Sequence, residues 1–189
     1  MDENRGIIQE IGNRRSFRGL SDKSVEIEKI DRIMTAASLA PSCFNKQPWR
    51  YITVQSGEGL QKVQKGLNKG NSWANNAPLF LLVTTKDDLD CKIGDGRNYA
   101  EFDTGMSVFS LLAQAEKEGL LAHPIAGYDQ EILKKEFGIP DDVKLLTIVV
   151  MGYKGSEKAL SEKQLESEHG PRVRNPKEKW FVKEKWTFK

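Results

Sequence analysis

The sequence is poor in the residues that build metal centres and disulfide networks. It contains two cysteines, Cys43 and Cys91, and two histidines, His123 and His169, in 189 residues. Two cysteines exclude a tetrathiolate zinc site and a framework of several disulfides, and two isolated histidines are too few for a histidine-based metal centre. Low cysteine usage is typical of proteins in a reducing compartment, so we predict a cytoplasmic location.

Long apolar runs and an excess of one charge are also absent. No run approaches the roughly 20 residues that span a bilayer. The opening MDENRGIIQEIG begins with acids and lacks the apolar region of a signal peptide. Lys and Arg total 29 and Asp and Glu total 27, which gives a net charge of +2. Because no global field would recruit nucleic acid or a membrane, any preference for anions must be local.

Several familiar catalytic motifs do not occur. The chain has no GxxxxGKS/T, HExxH or GxSxG sequence. GDGRNY at 94–99 begins like a dinucleotide-binding loop, but Tyr99 stands where the third glycine belongs. Cys43 is a weak candidate nucleophile because no histidine lies near it in the sequence. An enzyme built from this chain would therefore rely on a cofactor for the difficult step.

Hydrophobic periodicity predicts strands and helices that alternate along the chain. Helices are expected around 7–11, 27–37, 57–70, 98–118 and 129–138, and strands at 49–55, 77–85, 120–128 and 143–153. Ser21 and Ser24 are candidate N-caps of the second helix, and Asp129 is the candidate N-cap of the last. The unbroken apolar run at 77–85 is typical of a central strand that is buried on both faces. The pattern predicts one α/β or α+β domain.

Residues 154–189 form a segment of different composition, here called the C-terminal arm. It is highly charged, contains Pro171 and Pro176, and has the sequence KEKW twice. A disordered tail is one interpretation. Its two tryptophans and two phenylalanines favour another, because a disordered segment rarely carries so much aromatic surface. We expect an arm that packs against its own domain or against a second subunit.

The segment RRSFR (14–18) near the start of the chain is a basic cluster. In most proteins the side chains of such clusters lie on the solvated surface. Four further segments follow it in order: APSCFNKQPW (40–49), GNSWANNAP (70–78), GLLAHPIAGYD (119–129) and PRVRNPKEKW (171–180). Together the five segments resemble the nitroreductase family of FMN-dependent NAD(P)H oxidoreductases. The resemblance covers nearly the whole chain, and its most specific part is the pair RRSxR and PSxxNxQPW.

The resemblance implies an architecture and a reaction. The expected fold is α+β, with a central, mostly antiparallel sheet flanked by helices, formed by a single domain over 1–189. The expected assembly is a homodimer in which the arm packs on the partner. FMN would be the cofactor and NAD(P)H the co-substrate. A small electron-poor acceptor, such as a nitroaromatic or a quinone, would be reduced by a ping-pong hydride mechanism, with no catalytic side chain and no metal.

The resemblance also implies where FMN binds. Arg14, Arg15 and Ser16 would hold the phosphate and ribityl chain. The C-terminal pair Arg172 and Arg174 would complete the phosphate site. Guanidinium groups suit this role because they form charge-assisted, forked hydrogen bonds to phosphate.

The flavin ring would meet a different set of groups. Arg18 would face its pyrimidine edge, where a cation stabilises the reduced, anionic ring. Asn71 would contact the ring edge, and the backbone N–H groups of Ala126 and Gly127 would lie near N5. Ser42 and Asn45 would reach the ring, in this family often from the partner subunit. Asp103 matches a position that can contact flavin, but an acid beside an anionic ring is unfavourable, so we interpret it as polarity at a helix start.

Two other classes of function remain open at this stage. A flavin-binding protein without significant turnover would carry the same cofactor motifs. A basic module that binds anions or nucleic acid would use the arginines together with the aromatic residues of the arm. The small net charge and the lack of RNA-binding signatures argue against the second class.

Overall fold

The computed structural model describes residues 6–188. The helices in that range are α1 (Gln9–Asn13), α2 (Ile27–Ser38), α3 (Gly57–Gly66), α4 (Ala100–Lys117), α5 (Gln130–Phe137) and α6 (Glu162–His169). The strands are β1 (Arg50–Val54), β2 (Leu79–Thr85), β3 (Leu121–Ile125) and β4 (Lys144–Gly152). None of these helices combines the length and the apolar character that a bilayer crossing requires.

The four strands form one sheet in the order β1-β2-β4-β3, and every neighbouring pair is antiparallel. Every residue of β2 is buried, which confirms the central strand predicted from the apolar run. The α+β class and the antiparallel sheet are confirmed as well.

Helices cover both faces of the sheet because β2 alternates its side chains between them. Leu79, Leu81 and Val83 pack in one cluster with α2 and α4, where Ile33 and Leu111 are fully buried. Phe80 and Leu82 point the opposite way, into a second cluster. That cluster includes Val63 of α3 and Leu133 of α5. Burial of both apolar faces is the main source of stability for such a layered arrangement.

Two helix starts show where local sequence predicts well and where it does not. Asp129 caps α5 as predicted, since its carboxylate accepts hydrogen bonds from the N–H groups of Glu131 and Ile132, both at 3.0 Å. The predicted caps Ser21 and Ser24 are wrong. Helix α2 begins two residues later, after Glu26, whose carboxylate accepts a hydrogen bond from the Tyr153 hydroxyl instead of capping the helix.

The C-terminal arm contains a helix, α6, that periodicity did not reveal. Ser161 and Gln164 form a capping box at its start. The last helical turn faces the body of the protein, where Glu168 is buried. Beyond α6 the arm has only a short 3-10 turn at Lys177–Lys179, and Trp180 and Trp186 are exposed on the single chain.

Replacement of Asp129 by alanine should lower the free energy of unfolding by about 1 kcal/mol, because two N–H groups at the start of α5 lose their acceptor. Ser56 provides the matched control: it precedes α3, but its side chain makes no capping hydrogen bond. Ser56→Ala should therefore cost much less. Urea unfolding of the two variants measures the difference, and equal losses would contradict the capping role of Asp129.

Candidate functional site

A basic cavity lies where the two ends of the chain meet. It has a volume of about 270 Å³. Its lining comprises Arg14, Arg15, Ser16, Phe17, Arg18, Ser167, Pro171, Arg172, Val173 and Arg174. The structure thus brings together all six of the predicted site residues from segments 14–18 and 171–180, although about 150 positions separate the two segments in the sequence.

Two arginines bind these segments to each other through main-chain carbonyls. Arg15 donates from Nη2 to the carbonyl oxygens of Gly170 at 2.8 Å and Ser167 at 3.1 Å. Arg172 donates from its Nη2 to the carbonyl oxygen of Arg14 at 2.6 Å. Hydrogen bonds to carbonyls hold a guanidinium in place without neutralising it, so both side chains keep their full positive charge at the cavity.

Arg18 is the one cavity arginine that the described residues neutralise. Glu168, which is 4% exposed, accepts hydrogen bonds from the backbone N–H of Arg18 with both carboxylate oxygens at 3.1 Å. Its Oε1 also accepts from Arg18 Nη1 at 3.2 Å. Sequence reasoning missed Glu168, because nothing marks one glutamate in a charged helix as buried. The contact of Arg18 with a pyrimidine edge stays a prediction.

The remaining positive charge makes the cavity suited to an anion. Among residues 6–188, Arg14, Arg15, Arg172 and Arg174 form no ion pair with a carboxylate. Burial lowers the pKa of Arg14, and the charges of Arg172 and Arg174 lower it further. Repulsion among fixed cations is relieved by a bound anion, and phosphate matches the guanidinium geometry.

A second group of predicted residues meets at the turn after β3. Asn71 donates from its amide to the carbonyl oxygen of Gly127 at 2.9 Å and accepts from Trp73 Nε1 at 3.2 Å. A Cβ atom on Gly127 would lie 2.6 Å from the Asn71 amide nitrogen, so a larger residue here would displace Asn71. Ala126, the preceding residue, is exposed. Asn71 therefore holds a turn that begins at an exposed residue.

His123 connects this turn with the basic cavity. Its ring packs on Trp73 with 4.8 Å between centroids, and its Nδ1 lies 3.1 Å from the carbonyl oxygen of Phe17. Burial lowers the pKa of His123 to about 4, and the charges of Arg18 and Arg14 contribute to the shift. The ring is therefore neutral at neutral pH, and Nδ1–H donates to Phe17. A single histidine in a strand pattern does not distinguish this role from a surface position.

Ser42 and Asn45 lie in a different place. The hydrogen bonds of their side chains stay within the loop 42–47: Gln47 donates its N–H to Ser42 Oγ and its amide to Asn45 Oδ1, both at 2.9 Å. Phe44, Asn45 and Gln47 all have positive φ angles. In the described chain, no recorded contact joins this loop to the basic cavity. The structure thus does not bring Ser42 and Asn45 together with the other predicted residues within one chain.

Two expectations about the loop 42–47 need correction. Cys43 is not a free thiol, because it forms a disulfide with Cys91. Asp103 is more than polarity at a helix start: it is 1% exposed and its Oδ2 accepts the backbone N–H of Cys43 at 2.6 Å. Both contacts join segments far apart in the sequence, so helix and strand patterns carry no sign of them.

Comparison with known proteins gives consistent matches over most of the chain. The family model described as Nitroreductase family matches residues 11–71 and 61–153. An FMN reductase (NAD(P)H) of Bacillus subtilis is 30% identical over 170 residues, which cover 81% of this chain and 68% of that protein.

Two solved structures are similar across nearly the full length. One is the crystal structure of an oxidoreductase containing FMN, with a TM-score of 0.87 and 28% identity. The match covers 97% of this chain and 94% of the other. The other, a nitroreductase family protein from Clostridium difficile, has a TM-score of 0.74 and 29% identity, with coverage of 91% and 94%.

The low pKa of His123 predicts a pH dependence of folding stability. An unfolded chain protonates this histidine near pH 6.5, whereas the folded chain keeps it neutral down to about pH 4. The unfolded state therefore binds more protons than the folded state between these two pH values. As the pH falls through this range, the free energy of unfolding decreases by about 3 kcal/mol because of this group.

His123→Gln should flatten the stability profile over this range, because glutamine does not titrate yet can still donate to the Phe17 carbonyl. The control is His169→Gln, which removes a histidine that is exposed and pairs with Glu157. Denaturant unfolding across the pH range measures both variants. A profile for His123→Gln as steep as that of the unmodified protein would refute the buried, neutral state.

Proposed function

Because the chain belongs to the nitroreductase family, we propose that it is an FMN-dependent oxidoreductase that uses NAD(P)H to reduce small electron-poor acceptors such as nitroaromatics or quinones. The observation that carries the proposal is the basic cavity, in which four arginines that form no ion pair among the described residues face one space. Through His123 this cavity is connected to the turn at Gly127, which Asn71 holds. FMN has a phosphate at one end and a ring with polar edges at the other, so it could occupy both the cavity and the turn.

The residues present fit FMN in chemical type. Arg14, Ser16 and the C-terminal pair Arg172 and Arg174 would bind the phosphate and the ribityl chain, and Arg15 would contribute charge while it holds Gly170. The N–H groups of Ala126 and Gly127 would face the ring, with Asn71 keeping the turn in place. When bound, FMN supplies the hydride-transfer chemistry of the reaction.

The protein's own contribution to the reaction is positional and electrostatic. Neutral His123 adds no charge to the arginine cluster and keeps segment 14–18 at a fixed distance from Trp73. Glu168 fixes the backbone at Arg18, so the cavity stays assembled before the cofactor binds. Donors that are already in position lose less entropy when a ligand arrives, which favours tight binding.

We also propose that the working unit is a homodimer. Ser42 and Asn45 lie apart from the basic cavity of their own chain, so a second chain would be needed for them to contact the same cofactor. The single chain also exposes large apolar side chains, among them Phe44 at 89% and Trp186 at 82%. Exposed apolar groups of this size mark contact surfaces. The loop 42–47 and the end of the arm would supply the interface.

Arg14→Ala should weaken FMN binding far more than riboflavin binding, because only FMN carries the phosphate. A charge-assisted hydrogen bond is worth about 1.5 to 3 kcal/mol, or about ten- to a hundred-fold in Kd. Arg14 suits the test since, among residues 6–188, its side chain donates to Ser16 and not to the arm. Calorimetric titration of the apoprotein with each ligand measures the difference.

The control for this titration is Arg97→Ala, which removes an exposed arginine that pairs with Asp95. It should leave both affinities unchanged. If Arg14→Ala weakened FMN and riboflavin binding equally, Arg14 would not bind the phosphate.

A second pair of variants tests the dimer proposal and the cofactor proposal separately. Trp180→Ala with Trp186→Ala removes exposed aromatic surface from the arm and keeps its arginines, so it should weaken the dimer. Arg174→Ala should lower FMN occupancy and leave the dimer intact, because in the described part of the chain the Arg174 side chain donates only to the carbonyl of its neighbour Val173. Sedimentation with detection of flavin absorption measures both properties. A yellow, active monomer of 21.4 kDa would overturn the shared site.

A further inference from the structure

The disulfide between Cys43 and Cys91 joins two loop segments that lie outside the sheet. Cys43 lies in the loop 42–47, and Cys91 lies in the connection between β2 and α4. Their Cα atoms are 6.1 Å apart, within the range that a disulfide spans without backbone movement. The bridge therefore ties the loop that carries Ser42 and Asn45 to a segment 48 positions later.

Each cysteine of this bridge is held by its own buried aspartate. The backbone N–H of Cys43 donates to Asp103 at 2.6 Å, and the backbone N–H of Cys91 donates to Asp90 at 2.7 Å. Asp103 is 1% exposed and Asp90 5%. Such burial is unusual for one carboxyl group and more so for two that interact.

The two buried aspartates lie close enough for a hydrogen bond between their carboxyl groups. Asp90 Oδ2 is buried and has no hydrogen-bond donor among the described residues. Burial raises the pKa of Asp103, the N–H of Cys43 lowers it, and the charge of Asp90 and a hydrogen bond to it raise it. A proton on Asp103 that is donated to Asp90 satisfies both observations. The two sulfur atoms of the bridge and a carboxylate oxygen of Asp90 lie within 4.8 Å of one another.

Cys91 also lies at the surface of a small cavity, which gives a reagent access to the bridge. The cavity has a volume of about 250 Å³, and its walls include Lys92, Ile93 and Arg97. Most of these neighbours are exposed. Cys91 forms part of the wall of this cavity, so a small thiol that enters it lies next to the bridge.

We propose that Cys43 and Cys91 form a thiol–disulfide exchange site, opened by a small dithiol and closed by oxidation, which controls the position of the loop 42–47. A thiolate of the dithiol attacks Cys91 Sγ from the cavity. The S–S bond breaks, and Cys43 Sγ leaves with the electron pair and takes the proton held by the aspartates. The second thiol of the reagent then displaces Cys91. The dithiol supplies two electrons and two protons overall and becomes a disulfide.

The backbone of the loop gives the exchange a structural consequence. Phe44, Asn45 and Gln47 have φ angles of 47°, 56° and 50°, a region that side chains other than glycine occupy at a cost. Only surrounding contacts keep such a conformation, and the bridge is the one covalent contact among them. Reduction should therefore let the loop sample other conformations. The effect of this change on FMN rests on the proposed function, whereas the exchange itself does not.

Alkylation of the native holoprotein followed by intact-mass measurement tests the exchange. Without reductant neither cysteine should be modified. After dithiothreitol both should be modified without unfolding, and oxidised dithiothreitol should restore the protected form. Modification of both cysteines without any reductant would overturn the proposal, and so would a bridge that dithiothreitol opens only in denaturant. Reduced native cysteines that stay protected until a chelator is added would indicate a bound metal instead, which also overturns it.

Hydrogen exchange of residues 42–47 tests the structural consequence. Exchange in this loop should rise several-fold on reduction, while segment 14–18 should not change. The double variant Cys43→Ser with Cys91→Ser is the matched control: its loop should exchange as in the reduced protein and should not respond to dithiothreitol. Equal loop exchange in all three states would refute control of the loop by the bridge.

The role of the aspartates is tested by Asp90→Asn, which keeps an acceptor for the Cys91 N–H but removes the shared proton. Opening by dithiothreitol should become several-fold slower, with the final thiol count unchanged. An unchanged rate would exclude Asp90 as the source of the proton. Thiol counts and opening rates can be read on apoprotein as well, so failure of the FMN assignment would leave them interpretable.

Discussion

The contact between Glu168 and Arg18 is the interaction on which the candidate site depends. Segments 14–18 and 171–174 bring several guanidinium groups to one cavity, and like charges at this distance repel each other. One buried carboxylate, which binds both the backbone and the side chain of Arg18, holds the first segment beside α6. Arg15 and Arg172 add bonds to carbonyl oxygens that leave their charges free. Among the described residues, Glu168 is the one acid that forms an ion pair with a cavity arginine, and the more distant charge of Glu116 acts on Arg14 and Arg172.

From this cavity a continuous set of contacts leads to the turn at Gly127. The Phe17 carbonyl binds His123, whose ring packs on Trp73, and Trp73 donates to Asn71, which holds Gly127. The contacts join polar atoms and two packed rings, and the neutral histidine adds no charge to them. A charged histidine would add to the repulsion among the arginines, so the lowered pKa of His123 suits its place between the two parts of the site.

Sequence patterns predicted the parts of the structure that local chemistry determines. The apolar run of β2 and the cap at Asp129 needed no knowledge of other segments, and RRSFR resembled a known family together with four further segments. Apart from helix α6, whose capping box is local, the failures are long-range. Glu26 binds Tyr153 and leaves Ser21 and Ser24 without a helix to cap. Likewise Glu168, Asp90 and Asp103 are ordinary surface residues by pattern and become buried acids only when distant segments pack around them.

The loop 42–47 shows what the long-range contacts achieve. Three of its residues adopt a costly backbone conformation, and its tip, Phe44, is almost fully exposed. A loop that stabilised its own chain would bury this phenylalanine, since that burial would contribute about 2 kcal/mol. Instead the bridge to Cys91 and the bond to Asp103 hold the tip outwards in a fixed shape. Contacts that hold an exposed apolar side chain in place stabilise an assembly only when a group outside the chain packs on that side chain, as a second subunit would.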